Sequence, residues 1–134
     1  MIFSTNISIQ VNHLNYGNHL GHDALLSVLQ EARLRWLKTI DPLSSEINIA
    51  NDVGLLVKEV NLSYHSPGHH GDILDITFHL EKLKRTAFSL HHEVFNQTTD
   101  FLLGNGTIVF VCFDYKAKGI AAIPPKLIEA LNPH

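Results

Sequence analysis

Between Asp23 and Thr39 the apolar residues recur with helical spacing. Leu25, Val28, Leu29, Ala32 and Trp36 stand at i, i+3, i+4, i+7 and i+11, and Ser27, Gln30, Glu31, Arg35 and Lys38 form the opposite stripe. Leu26, Leu34 and Leu37 widen the apolar face, so the spacing predicts a helix covered on most sides. Pro42 stops it after Ile40 and Asp41, because proline cannot donate the next helical hydrogen bond. Ahead of the helix, the alternation Ile7, Ile9, Val11 predicts a strand. Behind it, Asp41 to Asp52 is a polar connection without a strong pattern.

The rest of the chain alternates with the period of strands. Val60, Leu62 and Tyr64 are interleaved with Asn61 and Ser63. After the turn SPGHHGD, Leu74, Ile76, Phe78 and Leu80 are interleaved with Asp75, Thr77, His79 and Glu81. Phe88, Leu90, His92 and Val94 continue the pattern. Thr107 to Tyr115 is apolar on both parities and predicts a central strand buried on both faces. A short helix from about Pro125 to Leu131 closes the chain, with proline at its first position, where the missing N–H costs little. One strand, one long helix and four strands with hairpin-like connections define an α+β class, the apolar helix enclosed by the curved face of the sheet.

Composition narrows the function. At 134 residues and 45% hydrophobic content, residues 1–134 suit a single domain with one core. The net charge of −3, with Lys82, Lys84 and Arg85 the one local basic cluster, argues against nucleic acid as the main partner. That cluster could still meet a small polyanion such as a nucleotide phosphate. The single Cys112 excludes a disulfide framework within the chain and reads as a small core residue in a reducing compartment. No apolar stretch is long enough to span a membrane, and MIFSTNISIQV lacks the features of a signal peptide, so a cytoplasmic protein is expected. The ten histidines match no closed metal-ligand spacing, and no metal or other cofactor is implied.

The candidate chemistry gathers in HLNYGNHLGHDALLSVLQEAR, where a loop of Asn, His, Gly and Asp runs into the apolar helix. A helix N-terminus offers unpaired N–H groups and the positive end of the dipole, which together can hold a carbonyl oxygen as negative charge develops on it. Asp23 can serve as nucleophile, as base or as a capping residue. Asn15 can orient water or the carbonyl, or shape the turn. His19 and His22 are candidate proton carriers. Tyr16, Gly17 and Asn18 shape the loop, and Gly17 and Gly21 let backbone N–H groups approach a ligand closely. His65, His69 and His70 read as a second group of ligand-type residues near another turn, with a solvated turn the simpler account for His69 and His70. His79, His91 and His92 read as surface or interface residues of strands. Lys84 and Arg85 are candidates for phosphate contact, or a solvated hairpin end.

Three segments carry a resemblance: NYGNHLGHDALLSVLQEAR, VNLSYHSPGHHGDILDITFHL and FVCFDYKAKGIAAIPPKLIEAL. In them the chain resembles the hot-dog-fold acyl-CoA thioesterases, particularly the 4-hydroxybenzoyl-CoA thioesterase type, over nearly its whole length. The resemblance implies an antiparallel sheet of about five strands wrapped around one helix. It also implies hydrolysis of acyl-CoA thioesters near the helix start, and self-association as a homodimer or homotetramer with sites at the subunit interface. Counting back from Ala32 and Arg33, the position where many members carry a catalytic Asp is Asn15 here, His19 falls where related enzymes place a functional His, and Asp23 is the natural substitute carboxylate. The acyl-CoA is then substrate, with Asp23, Asn15 and His19 catalytic and Tyr16, Gly17, His22, Lys84 and Arg85 in contact with it. Two alternatives stand beside it: a hydratase or dehydratase on the same fold, using His19 or His22 with Asp23, and a non-catalytic acyl-thioester-binding protein, which Asn15 in place of the usual Asp raises.

Overall fold

The computed structural model describes residues 1–132. In chain order the elements are β1 (Phe3–Ser8), a single 3-10 turn (Val11–His13), α1 (His22–Ile40), β2 (Val53–Tyr64), β3 (Ile73–Leu83), β4 (Ala87–Asn96), β5 (Phe101–Asp114), β6 (Gly119–Ile120) and α2 (Pro125–Leu131). The strands pair antiparallel in the order β1-β3-β4-β5-β2, with the two-residue β6 added beside β5. The class is α+β, as the pattern predicts, in the hot-dog arrangement that the resemblance implies, with six strands instead of about five.

α1 is gripped along its apolar stripe. Leu25, Val28, Leu29, Ala32, Trp36 and Leu37 are buried against the inward residues of the sheet, among them Leu74, Ile76 and Phe78 of β3, Phe88 and Leu90 of β4, and Ile108 and Phe110 of β5. The aromatic part of this core lies beside the C-terminal half of the helix, where Trp36 meets the edges of Phe78 and Phe88 with centroids 6.1 and 6.5 Å apart. Arg33 is buried in the same half. Its Nε donates to Glu46 at 2.7 Å, and its guanidinium lies 5.1 Å over the Phe110 ring. The exposed pair Glu31 and Arg35 is joined at 2.7 Å, and Arg35 also reaches Thr5 and the Asn6 carbonyl of β1.

Three sequence expectations are corrected. Val11 is exposed and outside β1, because Gln10 N–H donates to His13 Nδ1 and the Gln10 side chain to the Ser8 carbonyl, bonds that turn the chain before the strand can continue. β5 is not buried on both faces: Ile108, Phe110 and Cys112 point inward and are covered, whereas Val109, Val111 and Phe113 are only half-buried on the outer face. His92 belongs to the inward set of β4 and is fully buried against the Phe78 ring at 4.7 Å, where a surface residue was expected. Cys112 is a core residue as expected, and burial pushes its thiol up to about 11. No helix of the described residues is long and apolar enough to cross a membrane.

Candidate active site at the start of the central helix

The loop before α1 is fastened by its own backbone. Leu14 and Leu20 form a bridge, Asn15 N–H donates to the His19 carbonyl at 2.9 Å, and Gly21 N–H donates to the His13 carbonyl at 2.9 Å. Leu20 N–H reaches across to the Gly68 carbonyl at 2.8 Å, tying the loop to the turn between β2 and β3. The left-handed residue that closes the loop is Asn18, at φ 62°, a conformation Asn tolerates better than most residues. The nearby Gly17 does not need that role.

Asn15 is the hub of this loop. Its Oδ1 accepts from Gly17 N–H at 2.9 Å and from His19 N–H at 3.3 Å, which leaves its Nδ2 as the end free to donate outward. Gly21 is the N-cap of α1, and Asp23 stands in the first turn. A Cβ at Gly21 would lie 2.7 Å from Asp23 Oδ1, the movable end of that side chain, and 3.8 Å from Asn15 Cβ, so the carboxylate and the loop asparagine both stand close to this glycine. Burial, then the charge of Asp23, pushes the Tyr64 phenol above its ordinary value.

Beside this point lies a cleft of about 310 Å³, lined by Asn15, His19, Leu20 and His22 from the loop and helix start, by Tyr64 to Gly68 from the end of β2 and the following turn, and by Leu103 of β5. Tyr64 donates its hydroxyl hydrogen to the His22 carbonyl at 2.8 Å and stacks its ring on the His22 imidazole at 4.3 Å, pinning the sheet edge to the first turn of α1. His19 sits edge-on to His69 at 4.9 Å. His65 places Nε2 3.0 Å from Asn105 Oδ1. Asp72, under the turn, is buried and structural: its Oδ2 accepts from His69 N–H and from Asn96 Nδ2.

The sequence-derived candidates thus divide. Asn15, His19 and His22 line one cleft, and Asp23, outside the lining, stands close to Gly21, as Asn15 does. Tyr16 and Gly17 are exposed in the loop and outside the lining. Lys84 and Arg85 lie far from it in the same chain, on the turn after β3 that packs towards the C-terminal half of α1, where the Arg85 carbonyl accepts from Ile123 N–H and Phe88 meets Trp36. Tyr64, His65 and Ser66 were not singled out from the sequence as residues of this site. The signal was present in part, since strand alternation ends at Tyr64 immediately before Pro67, but a residue's neighbours across a sheet are invisible to a local pattern. Among the described residues no three metal-ligating side chains come together.

A helix cradled by an antiparallel sheet, with a polar cleft where that helix begins, is the architecture of a hot-dog thioesterase. The sequence matches the thioesterase-like superfamily over residues 9–131. The chain belongs to that superfamily, and its reaction is thioester hydrolysis. It is 28% identical over 128 residues, 96% of each chain, to FadM, a long-chain acyl-CoA thioesterase of Escherichia coli strain K12. The crystal structure of YbaW, a probable thioesterase from Escherichia coli, is 26% identical and superposes with a TM-score of 0.79 over 96% of this chain and 95% of that one. The fold is also that of Slr0204, a 1,4-dihydroxy-2-naphthoyl-CoA thioesterase from Synechocystis, with a TM-score of 0.84, 19% identity and coverage of 96% and 94%.

Proposed function

We propose that the protein hydrolyses acyl-CoA thioesters to free acid and CoA in the cleft at the start of α1. The observation that carries this reading is the convergence of Asn15, His19 and His22 on one cleft, with Asp23 close by at Gly21. The thioester carbonyl meets Asn15 Nδ2 and the N-terminal end of α1, where partial positive charge favours an oxygen that becomes negative as the tetrahedral intermediate forms. Asp23 supplies the carboxylate of the site, and Tyr16 and Gly17 form its outer lip. The similarity to a long-chain acyl-CoA thioesterase supports acyl-CoA as the substrate class.

The proposal includes a homodimer. β2 is an edge strand of 12 residues, and Leu56, Val57, Val60 and Tyr64 on it, with Leu26 on α1 beside it, are exposed in the single chain. Such an edge is a ready template for pairing with a second copy. Antiparallel pairing of β2 with itself about a two-fold axis sets the start of one α1 at the same end as the Lys84 and Arg85 turn of the other. There Lys84 lines a depression of about 240 Å³ with Lys58, Lys82, Glu59 and Ser89, whose buried hydroxyl has no hydrogen-bond partner among the described residues. This basic patch suits the phosphates of CoA.

Release of free thiol from short, medium, long and aromatic acyl-CoAs tests the reading. Turnover of at least one class with stoichiometric CoA is the expected result. Binding without thiol release, or hydration of an unsaturated acyl-CoA without it, contradicts it.

A further inference from the structure

We propose that His65 is the proton-transfer residue of the cleft, held in one tautomer by Asn105. The assignment rests on the thioesterase reading above and adds a catalytic group to it. Direct attack of water on a thioester needs a group to take the water's proton. The cleft is lined by three imidazoles, those of His19, His22 and His65, and by no carboxylate.

Of these, His65 is the one whose ring nitrogen has a fixed side-chain partner among the described residues. Its Nε2 lies 3.0 Å from Asn105 Oδ1. An amide oxygen only accepts, so Nε2 carries the hydrogen and Nδ1 keeps the lone pair that a base needs. The backbone beneath is equally fixed: His65 N–H donates to the Leu103 carbonyl at 2.7 Å, and the Ser66 hydroxyl to the Leu102 carbonyl at 2.8 Å. Asn105 itself is set by the β2–β5 register, in which Tyr64 faces Gly104, and a Cβ at Gly104 would stand 2.7 Å from the Ser63 carbonyl oxygen. That close approach of the strands is what lets Asn105 reach His65. By contrast, His22 is stacked on Tyr64 and His19 lies against His69, and neither ring nitrogen is hydrogen-bonded among the described residues.

In the proposed step the water oxygen bonds to the carbonyl carbon as His65 Nδ1 takes one of its protons, and the carbonyl π pair moves to oxygen. As that pair returns, the C–S bond breaks with its electrons on sulfur, and the proton passes from Nδ1 to the departing thiolate. The products are the carboxylic acid and the thiol, and His65 ends as it began. Asn105 is a positioning residue throughout.

The test is thiol release by the full-length wild type, His65→Ala, Asn105→Ala and Asp23→Asn, with and without added imidazole. The expected result is a fall in kcat of about a hundred-fold for His65→Ala, the scale of a lost general base, with KM within about three-fold. Added imidazole then restores at least about ten-fold of that loss, a rescue that a merely structural histidine would not give. Asn105→Ala loses about ten-fold and is not rescued, because its imidazole is still present. His65 is exposed, so the variant keeps its fold, and the far-ultraviolet circular dichroism melt checks this. A His65→Ala enzyme within three-fold of wild type, or a loss unaffected by imidazole, overturns the assignment while leaving the thioesterase reading intact, and an inactive Asp23→Asn beside it would move the proton to Asp23. A wild type that releases no thiol from any acyl-CoA overturns the thioesterase reading itself, and this assignment with it.

Discussion

The two ends of α1 are built from different materials. At the C-terminal half Trp36 and Leu37 are buried among Phe78, Phe88 and Phe110, and the one charge taken inside, that of Arg33, is matched by Glu46 and laid over an aromatic face. At the start, His19, His22 and Asp23 are exposed, and what fixes them is backbone hydrogen bonding through Asn15, Gly21 and Gly68. Both halves bury part of the apolar stripe, Leu25, Val28 and Leu29 in the first, but one end carries the large aromatics, where each side chain is worth kilocalories of stability. The other carries polar groups held in place by geometry, with little of the fold depending on them. Stability and chemistry are therefore separable along a single helix, and substitutions should sort by end.

The largest effect belongs to the packed end. Trp36→Ala should lower the unfolding free energy by about 3–5 kcal/mol, the cost of a large aromatic removed from a closed core, read from urea denaturation. Arg33→Ala comes next, at about 2 kcal/mol, since it strips a charged hydrogen bond from Glu46, which retains Gln30 Nε2 as a partner at 2.7 Å. A loss at Asn15→Ala as large as that at Trp36→Ala would break the comparison.

His92 sharpens the contrast because it puts a titratable group in the packed layer. Its side chain is fully covered, Nδ1 meets the Leu90 carbonyl at 3.0 Å, and Nε2 has no partner among the described residues. Burial, with smaller contributions from Arg33 and His91, pushes its imidazole down to about 4 despite the opposing Leu90 carbonyl. Between pH 6.5 and 4 the unfolded chain then binds a proton that the folded one refuses, so stability is complete above 6.5 and falls as the pH drops to 4. The span corresponds to on the order of 3 kcal/mol. His92→Leu should flatten that part of the stability profile, measured by denaturation at a series of pH values. An unchanged slope would show that other groups carry the acid sensitivity.

The smallest effect should come from Tyr64→Phe, which removes one hydroxyl hydrogen bond to the His22 carbonyl while keeping the stacked ring. About 1 kcal/mol of local stability is at stake, and kcat should fall by a few-fold with no change in the global unfolding midpoint. A variant with wild-type kcat would mean that the first turn of α1 does not need the sheet edge to hold it.

Much of the packed end was legible in the sequence, because helical and strand periodicity report which side chains turn inward. The stripe from Leu25 to Trp36 and the helix Pro125–Leu131 were read with their correct boundaries or within a residue of them. Periodicity alone also placed His92 inward, but its polar character suggested a surface; only the pairing of β4 between β3 and β5 resolves that conflict. The candidate site was legible where its residues are contiguous, at Asn15, His19, His22 and Asp23. Tyr64, His65 and Asn105 escaped because they join the site through strand register, which depends on pairing over forty residues of separation. Lys84 and Arg85 lie apart from the cleft in the single chain, and only pairing with a second copy, which a local pattern does not report, would bring them to it.

The most direct test of the central claim is thiol release from a long-chain acyl-CoA by Asn15→Ala, set against its unfolding free energy. The account predicts that kcat/KM falls at least about ten-fold while stability stays within about 1 kcal/mol of wild type. Full turnover in that variant would contradict the placement of the chemistry at the start of α1.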